Sequence, residues 1–346
     1  MITIKLAMSE KVKKLAPEIW QEIKKAKKIL LHCHPNPDPD SMGSALGLMH
    51  LLKNAQKEVT VISGDSIPSA AMSAMPGFKD IVPKNIFKID LNDFDLFIVL
   101  DSSALNQISK KGEIKFPPNL RTVKIDHHRN KDNFADINLI DTNYSSTCQM
   151  VYELAKLWRL KITPDAAACL LIGIYTDTGG FKYPPTNADT FLAASELAKI
   201  YPDYFKIIFH YENSVNPKQL EYLSLALSSI EHYFSGKVAI SVIPHEELRK
   251  RGLNRSEISG LEIANTLKSV PGWIIGIELV ESSPNMIEAH FRKREYEGPD
   301  LSKAAIVLGG GGHKSAAGAP INKPLNEAKA LLLKTLKEVY PELGEI

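Results

Sequence analysis

The chain has 346 residues, enough for two domains of ordinary size, each with its own core. Apolar residues make up 44% of it and charged residues 24%, a composition that excludes a disordered protein and is typical of a globular one. The formal net charge of +2 argues against a protein that coats nucleic acid in bulk, although it leaves room for a local basic site.

The three cysteines, Cys33, Cys148 and Cys169, are odd in number and have no paired spacing. They therefore predict neither a disulfide framework nor a zinc site, and a reducing cytosol is the simplest setting for them. The first residues lack the long apolar segment of a signal peptide, and no apolar run approaches the length needed to cross a bilayer. We expect a cytoplasmic protein.

The first part of the chain alternates between two hydrophobic patterns. Apolar residues recur at helical spacing in residues 8–27, which predicts an amphipathic helix. Short apolar or β-branched runs predict strands at residues 29–31, 58–63, 96–100 and 122–125. Further helices are predicted at residues 146–157 and 165–175. This alternation predicts an α/β domain with a doubly wound, mostly parallel sheet.

The pattern changes in the second part of the chain. Residues 187–230 are helical in pattern and are interrupted at Pro202 and Pro217. Strands are then predicted at residues 238–243, 273–280 and 286–291, with a helix near 300–308. We therefore expect three segments, which are a catalytic domain at 1–200, a helical linker at 201–230 and a smaller mixed α/β domain at 231–346.

A proline-rich segment follows the first predicted strand and contains His34, Asp38 and Asp40. Its prolines exclude a helix and a sheet ladder, which predicts a stiff, extended loop before a helix that opens near residues 43–45. Two aspartates in an extended loop would diverge, and this suits two metal ions better than one. The alternative is an Asp/Pro turn that caps a helix, and an isolated Asp-Pro-Asp is more often that.

Polar side chains also follow other predicted strands. His34, Asp101 and His127 each come just after a strand, and the carboxyl ends of parallel strands are where such sheets bind ligands. The complete set of candidates is His34, Asp38, Asp40, Asp101, Asp126, His127, His128 and Asp177. Carboxylates and imidazoles are ligands typical of Mn²⁺ or Mg²⁺, and a two-metal site that activates water and neutralises a phosphate needs such an inventory.

Each of these features has a simpler explanation when it is taken alone. Asp101 could be a turn residue, His127 and His128 a surface pair, and Asp177 the end of a helix stopped by glycine. The glycines at 309–312 could be a linker, and the basic residues at 292–294 a solvated strand end. Together, the features make these separate explanations improbable.

These residues resemble the motifs of the DHH phosphoesterase family over nearly the whole chain. The first motif is matched by His34-Pro-Asn-Pro-Asp-Pro-Asp, and the second by Asp101. The signature that names the family is matched by Asp126-His127-His128, and the fourth motif by Asp177-Thr-Gly-Gly-Phe. Gly310-Gly-Gly-His313, with Arg292 upstream, resembles the associated C-terminal DHHA1 domain.

The resemblance implies a role for each matching residue. His34, Asp38 and Asp101 would hold one metal ion, and Asp101 would be shared with a second site. The ligands of the second site would be Asp40, Asp101, His127 and Asp177. His128 would contact the phosphate, with Asp126 supporting it. Arg292, Gly310, Gly311, Gly312 and His313 would bind the nucleotide.

In length and layout the chain is most similar to NrnA-like members of the family. This implies hydrolysis of short RNA to nucleoside 5′-monophosphates and dephosphorylation of 3′-phosphoadenosine 5′-phosphate (PAP). It also implies two divalent ions, with Mn²⁺ expected and Mg²⁺ or Co²⁺ as alternatives, and it leaves a homodimer open. Pro39 and Lys293 depart from the family pattern, and Lys293 bears on substrate preference.

Alternative functions are hydrolysis of linear or cyclic dinucleotides and a RecJ-like single-strand exonuclease, although the chain lacks the extra domain expected of the latter. A nucleotide sensor without catalysis is disfavoured, because no metal-ligand position is missing from the sequence.

Overall fold

The computed structural model describes residues 8–66, 68–129, 132–258, 261, 263–294 and 298–346. The chain divides into two compact units, Met1–Ser214 and Val215–Ile346. The first seven residues of the predicted catalytic domain lie outside the described residues. The helical segment predicted as a linker at 201–230 is divided between the units, one of its helices ending at Glu212 and the next beginning at Pro217.

The first unit contains the expected strands and helices in the expected order, with one additional strand, but in the described residues only loops and 3₁₀ turns separate its last four strands. Its strands are β1 (Lys28–His32), β2 (Glu58–Ile62), β3 (Leu96–Leu100), β4 (Arg121–Asp126) and β5 (Ile137–Ile140). Its helices are α1 (Glu10–Lys25), α2 (Pro39–Asn54), α3 (Thr147–Leu157), α4 (Pro164–Asp177), α5 (Ala188–Ile200) and α6 (Tyr204–Glu212). The fifth strand is only four residues long and was not predicted.

These strands form one parallel sheet in the order β2-β1-β3-β4-β5. The order reverses between β1 and β3, so the crevice beyond their carboxyl ends is the topological switch point. One face of the sheet packs in a large core with α1 to α6. The other face is covered by loops and 3₁₀ turns that contribute, among others, Ile86, Ile108 and Phe116.

The second unit is smaller and contains a mixed sheet. Its strands are β6 (Ile230–Tyr233), β7 (Val238–Ile243), β8 (Ile275–Ser283), β9 (Met286–Lys293), β10 (Gly311–Gly312) and β11 (Ala316–Ile321). Its helices are α7 (Pro217–Ser228), α8 (His245–Lys250), α9 (Arg255–Ile258), α10 (Ile263–Lys268), α11 (Leu301–Val307) and α12 (Leu325–Val339).

The strand order of this sheet is β10-β11-β9-β8-β7-β6, in which β7 and β8 are parallel and the other neighbours antiparallel. One face packs against α11 and α12, and the other carries a separate core beneath α7 and α10. The predicted fold class, a mostly parallel α/β domain followed by a smaller mixed α/β domain, is confirmed. Within the ranges described, no helix is long and apolar enough to span a membrane.

Candidate metal centre

Most of the predicted site residues lie at the carboxyl edge of the parallel sheet. His34 follows β1 by two residues, Asp101 follows β3 directly, and Asp126 is the last residue of β4. The first two flank the switch point between β1 and β3. The neighbouring strands of the sheet therefore bring together side chains that are about 70 and 90 residues apart in sequence.

The proline-rich segment is helical earlier than the sequence predicts. The expectation of an extended loop as far as residue 43 is wrong, because α2 begins at Pro39 and Asp38 is its N-cap. Proline is favourable in the first helical turn, since its missing N–H has no partner there anyway. The Asp38 carboxylate accepts the Ser41 N–H at 2.9 Å and also lies 3.3 Å from His34 Nε2. Asp38 therefore caps a helix, as the simpler alternative predicts, and also belongs to the cluster of predicted site residues around His34, Asp101 and His127.

Asp101 lies at the centre of the cluster and is only 2% exposed. Its Oδ2 lies 3.7 Å from His34 Nε2, whereas its Oδ1 lies 3.6 Å from His127 Nε2 and accepts the Thr147 hydroxyl at 3.1 Å. Burial acts to raise the pKa of this carboxyl, but the hydrogen bond and charge of His128 and the other imidazoles lower it overall. Asp101 is therefore a carboxylate whose two oxygens face different imidazoles.

Asp40 is held by the beginning of α3. It is 2% exposed, and its two oxygens accept the Thr147 N–H at 2.7 Å and the Cys148 N–H at 2.9 Å. These are N–H groups of the first helical turn, which have no partner within the helix and favour a negative charge. Gly173 of α4 makes room for this contact, because a Cβ there would lie 2.3 Å from Cys148 Sγ and 3.1 Å from Asp40 Oδ1.

His127 faces three carboxylates. Its Nε2 lies 3.3 Å from Asp177 Oδ2, 3.6 Å from Asp101 Oδ1 and 3.8 Å from Asp40 Oδ2. This nitrogen is buried and has no hydrogen-bond partner within the described ranges. The other ring nitrogen, Nδ1, lies 3.3 Å from the Tyr144 carbonyl oxygen. A hydrogen bond from an Nδ1–H group to this oxygen would leave the Nε2 lone pair directed at the carboxylates.

This arrangement fits a divalent cation. Burial, followed by the charges of Asp101 and Asp38, raises the pKa of Asp40 to about 8. Burial, followed by the charges of Asp40, Asp101 and Asp38, raises the pKa of Asp177 well above its usual value. The repulsion among these carboxyl groups would be relieved by positive charge between them. Three sets of ligand atoms lie close enough to hold an ion among the described residues: His34 with Asp38 and Asp101, Asp40 with His127 and Asp177, and Asp101 with His127 and His128.

His128 is held in place by the carboxylate of Asp126. Asp126, which is fully buried, accepts both the His128 N–H at 3.1 Å and its ring Nδ1–H at 3.0 Å. Asp101 Oδ1 lies 3.3 Å from the same Nδ1. Burial opposes the charged form of His128, but these two carboxylates raise its pKa to about 11. The arrangement thus fixes the ring of His128 beside Asp101, and the two neighbouring carboxylates favour its protonated form.

Sequence reasoning missed Thr147, Cys148, Gly173 and Tyr144, the residues that support this cluster. The helix that begins here is predicted from the sequence, at residues 146–157, and Ser146 caps α3 by accepting the Gln149 N–H at 3.0 Å. Nothing in the sequence indicates that this N-terminus receives Asp40.

The predicted nucleotide-binding residues lie in the second unit. Arg292 is inside β9 and does not follow the strand as predicted. Gly311 and Gly312 form β10, which pairs with β11, and the His313 N–H donates to the Ala316 carbonyl at 2.7 Å. A Cβ on Gly310 would lie 2.1 Å from the Gly318 oxygen. The glycine segment is therefore a tight hairpin in which Gly310 and Gly312 leave no room for a side chain, and not a flexible linker.

Lys293 does not share a face of β9 with Arg292, because successive residues of a strand point to opposite faces. The lysine is 4% exposed, and its Nζ lies 3.5 Å from the Gly298 carbonyl oxygen. Lys293, which departs from the family pattern, therefore lies on the face of the sheet opposite to that of Arg292.

Residues 28–174 match the model of a family described as "DHH family, N-terminal domain". The chain is 29% identical over 301 residues to the bifunctional oligoribonuclease and PAP phosphatase NrnA of Bacillus subtilis, with 85% of this chain and 89% of that protein covered. It is 24% identical to the protein of the same name from Thermus thermophilus, with 95% and 97% covered.

Among solved structures, the chain is similar to an exopolyphosphatase-related protein from Bacteroides fragilis. The TM-score is 0.86 at 26% identity, and the match covers 99% of this chain and 100% of that one. The T. thermophilus RecJ in complex with Mn²⁺ matches with a TM-score of 0.53 at 12% identity, over 95% of this chain and 55% of RecJ, which shows a shared fold.

Proposed function

We propose that this chain, whose residues 28–174 belong to the DHH family, is a two-metal phosphodiesterase that hydrolyses short oligoribonucleotides to nucleoside 5′-monophosphates. The family resemblance expected from the sequence is confirmed by that match and by relatives named NrnA. Phosphoesterases are hydrolases. The proposed hydrolysis of short oligoribonucleotides is also supported by the names of these relatives, which describe an oligoribonuclease and PAP phosphatase.

The position of Asp101 is the observation that carries the proposal. Each of its two oxygens faces a different imidazole, at 3.7 Å for His34 and 3.6 Å for His127. A two-metal site for phosphate hydrolysis needs a carboxylate that both ions share, with further carboxylates and imidazoles on either side. We propose that His34 and Asp38 complete one site, and that Asp40, His127 and Asp177 complete the other.

Two bound ions, with Mn²⁺ expected, would supply an activated water and neutralise charge on the phosphate. The protein would supply the remaining groups. His128, held in place by Asp126, would donate a hydrogen bond to a phosphate oxygen and stabilise the charge that develops there. In the second unit, Arg292, His313 and the glycine hairpin (Gly310, Gly311, Gly312) would bind the nucleotide.

The same chemistry would serve both proposed substrates. Release of a nucleoside 5′-monophosphate from RNA requires that water attack phosphorus, that the P–O3′ bond break and that the 3′ oxygen leave with a proton. Dephosphorylation of PAP at its 3′ position breaks the same P–O3′ bond, with inorganic phosphate as the product. One metal centre that positions a 3′-linked phosphate therefore suffices for both reactions.

A product time course tests the proposal. Oligoribonucleotides of graded length, labelled at the 5′ end, would be incubated with the enzyme and Mn²⁺ beside PAP, linear and cyclic dinucleotides, and polyphosphate. The expected result is nucleoside 5′-monophosphate from the shortest oligonucleotides and AMP with phosphate from PAP. Turnover of a cyclic dinucleotide or polyphosphate alone would contradict the proposed substrate class.

We also propose that the protein acts in the cytoplasm. Cys33, Cys148 and Cys169 are all buried free thiols, which is typical of proteins from reducing compartments.

A further inference from the structure

Lys124 is a charged residue in the interior of the first unit. It lies in the middle of β4, opposite Val99 of β3, and is fully buried. Its ammonium group lies 5.0 Å from the centroid of the Phe134 ring. Burial lowers the pKa of this lysine, while the charge of Asp126 acts in the opposite direction. A buried ammonium group is costly unless it is hydrogen-bonded, so its partners indicate what it does for the protein.

Those partners lie in the two loops that carry the cluster. Lys124 Nζ donates to the Ser103 carbonyl at 2.9 Å and to the Asp132 carbonyl at 2.9 Å. Ser103 is two residues beyond Asp101, and Asp132 is four residues beyond His128. A single ammonium group therefore fixes the loop after β3 to the loop after β4.

The charge of Lys124 also lies close to Asp126. The two residues are separated by one position on β4 and so point to the same face of the sheet. Asp126 is fully buried, and its Oδ2 has no hydrogen-bond partner in the part of the chain that the structure describes. Lys124 therefore lies on the same face of β4 as the carboxylate that accepts the main-chain and ring N–H groups of His128.

We propose that Lys124 is a positioning residue of the metal centre, which holds Asp101 and the His127–His128 pair in the arrangement that binds metal. This inference rests on the proposed function, because it assumes that the cluster binds divalent ions. Lys124 donates to main-chain carbonyl groups of both loops, so its effect on the metal centre would be transmitted through the main chain.

The test compares Lys124→Met and Lys124→Gln with a matched control, Thr122→Val. Thr122 lies on the same face of β4 and is also buried, but it contacts Asp136 at the beginning of the strand. Mn²⁺ affinity would be measured by titration calorimetry, folding by circular dichroism, and kcat and KM with a dinucleotide. We expect Lys124→Met to lower Mn²⁺ affinity and kcat by roughly 10- to 100-fold with little change in KM, as is typical of residues that orient ligands. Thr122→Val should keep the wild-type affinity.

Each outcome is decisive. A folded Lys124→Met protein with wild-type Mn²⁺ affinity and kcat would overturn the inference, as would an equal loss in Thr122→Val. If the Met variant does not fold, Lys124→Gln, which keeps an N–H donor, decides in the same way. Failure of both variants to fold would assign Lys124 to the fold and not to the site. Absence of Mn²⁺ binding by the wild-type protein would instead refute the proposed function.

Discussion

Asp101 and His127 are 26 positions apart in sequence, and the Oδ1 of the carboxylate lies 3.6 Å from the imidazole Nε2. The proximity follows from the parallel pairing of β3 with β4, which brings the ends of the two strands to the same edge. The other oxygen of Asp101, Oδ2, lies 3.7 Å from Nε2 of His34, two residues after the end of β1. Two neighbouring ions could therefore share this carboxylate.

The first prediction concerns the metal. If the ligands are as proposed, the protein should lose nearly all phosphodiesterase activity on incubation with EDTA and regain it with Mn²⁺. The measurement is the rate of dinucleotide hydrolysis before chelation, after chelation and after metal is restored, with Ca²⁺ as a comparison ion. Full turnover in excess EDTA would rule out the two-metal mechanism.

The second prediction is that Asp101→Asn is the most damaging single substitution in the cluster. It removes the charge from the ligand that both ions would share. Substitution of residues that only support metal ligands already lowers metal affinity or activity by roughly 10- to 100-fold. We expect a loss in kcat of more than about 100-fold by the same comparison. The measurement is kcat with a dinucleotide at saturating Mn²⁺.

The matched control for this substitution is Asp95→Asn. Asp95 immediately precedes β3 at the opposite end of the strand, where its carboxylate accepts the N–H groups of Lys27 and Lys28 at 2.7 and 2.8 Å. This variant should keep its activity. If Asp101→Asn kept most of its rate, Asp101 could not be the shared ligand.

The third prediction concerns Gly173, whose role the sequence alone does not reveal. An added methyl group at this position would displace Cys148 or Asp40, because the Cβ would lie 2.3 and 3.1 Å from their side-chain atoms. Gly173→Ala should therefore lower both the free energy of unfolding, by about 1 to 3 kcal/mol, and the affinity for Mn²⁺. Urea denaturation and titration calorimetry measure these two quantities.

Gly47→Ala separates the two effects. A Cβ at Gly47 would lie 2.6 Å from a Leu170 side-chain carbon, so it also crowds the contact between α2 and α4. It should destabilise the protein by a similar amount and leave Mn²⁺ affinity unchanged. Equal losses of affinity in both variants would show that general packing, and not the position of Asp40, determines metal binding.

The sequence predicts part of this centre because some of its features are local. Short apolar runs that end in Asp or His mark the strand ends, which is sufficient to place His34, Asp101 and His127 at one edge. The contact between Asp40 and the N–H of Cys148 spans 108 positions and depends on how α2 packs against α3, which no local pattern encodes.

Two features of the fold that the sequence does not predict correctly, the start of α2 and the strand β5, also have local causes. The prolines correctly exclude a helix interior, but Pro39 occupies the first helical turn, where proline is favourable, and α2 therefore begins earlier than predicted. The strand β5 is short and contains a polar residue, Asn138, so its pattern is too weak to recognise.

The fourth prediction concerns substrate length. With a formal net charge of only +2, the protein has little general attraction for a long phosphate backbone, which basic surfaces provide in proteins that track single strands. We expect kcat/KM to fall as the oligoribonucleotide lengthens beyond a few residues. The measurement is the initial rate for a series of lengths at fixed ionic strength. Processive digestion of long single strands would indicate a RecJ-like exonuclease instead.

The fifth prediction separates nucleotide binding from hydrolysis. Arg292 lies in the second unit and is not part of the cluster around Asp101, so it should act on the substrate and not on the metals. Loss of a charge-assisted contact is worth about 1.5 to 3 kcal/mol, on the order of 10- to 100-fold in kcat/KM. Arg292→Ala should cause such a loss with dinucleotides and PAP, measured by steady-state kinetics.

A substrate that lacks a nucleotide provides the decisive comparison. Hydrolysis of bis(p-nitrophenyl) phosphate requires the metal centre but offers no nucleotide for Arg292 to bind, so the Ala variant should hydrolyse it at close to the wild-type rate. Arg294→Ala is the matched control, because Arg294 donates at the exposed surface to the Ser269 carbonyl at 2.7 Å. It should leave both reactions unchanged. An equal loss on both substrates in Arg292→Ala would mean that this arginine supports the fold or the metal centre, since a nucleotide-binding residue can discriminate only between substrates that differ in the nucleotide.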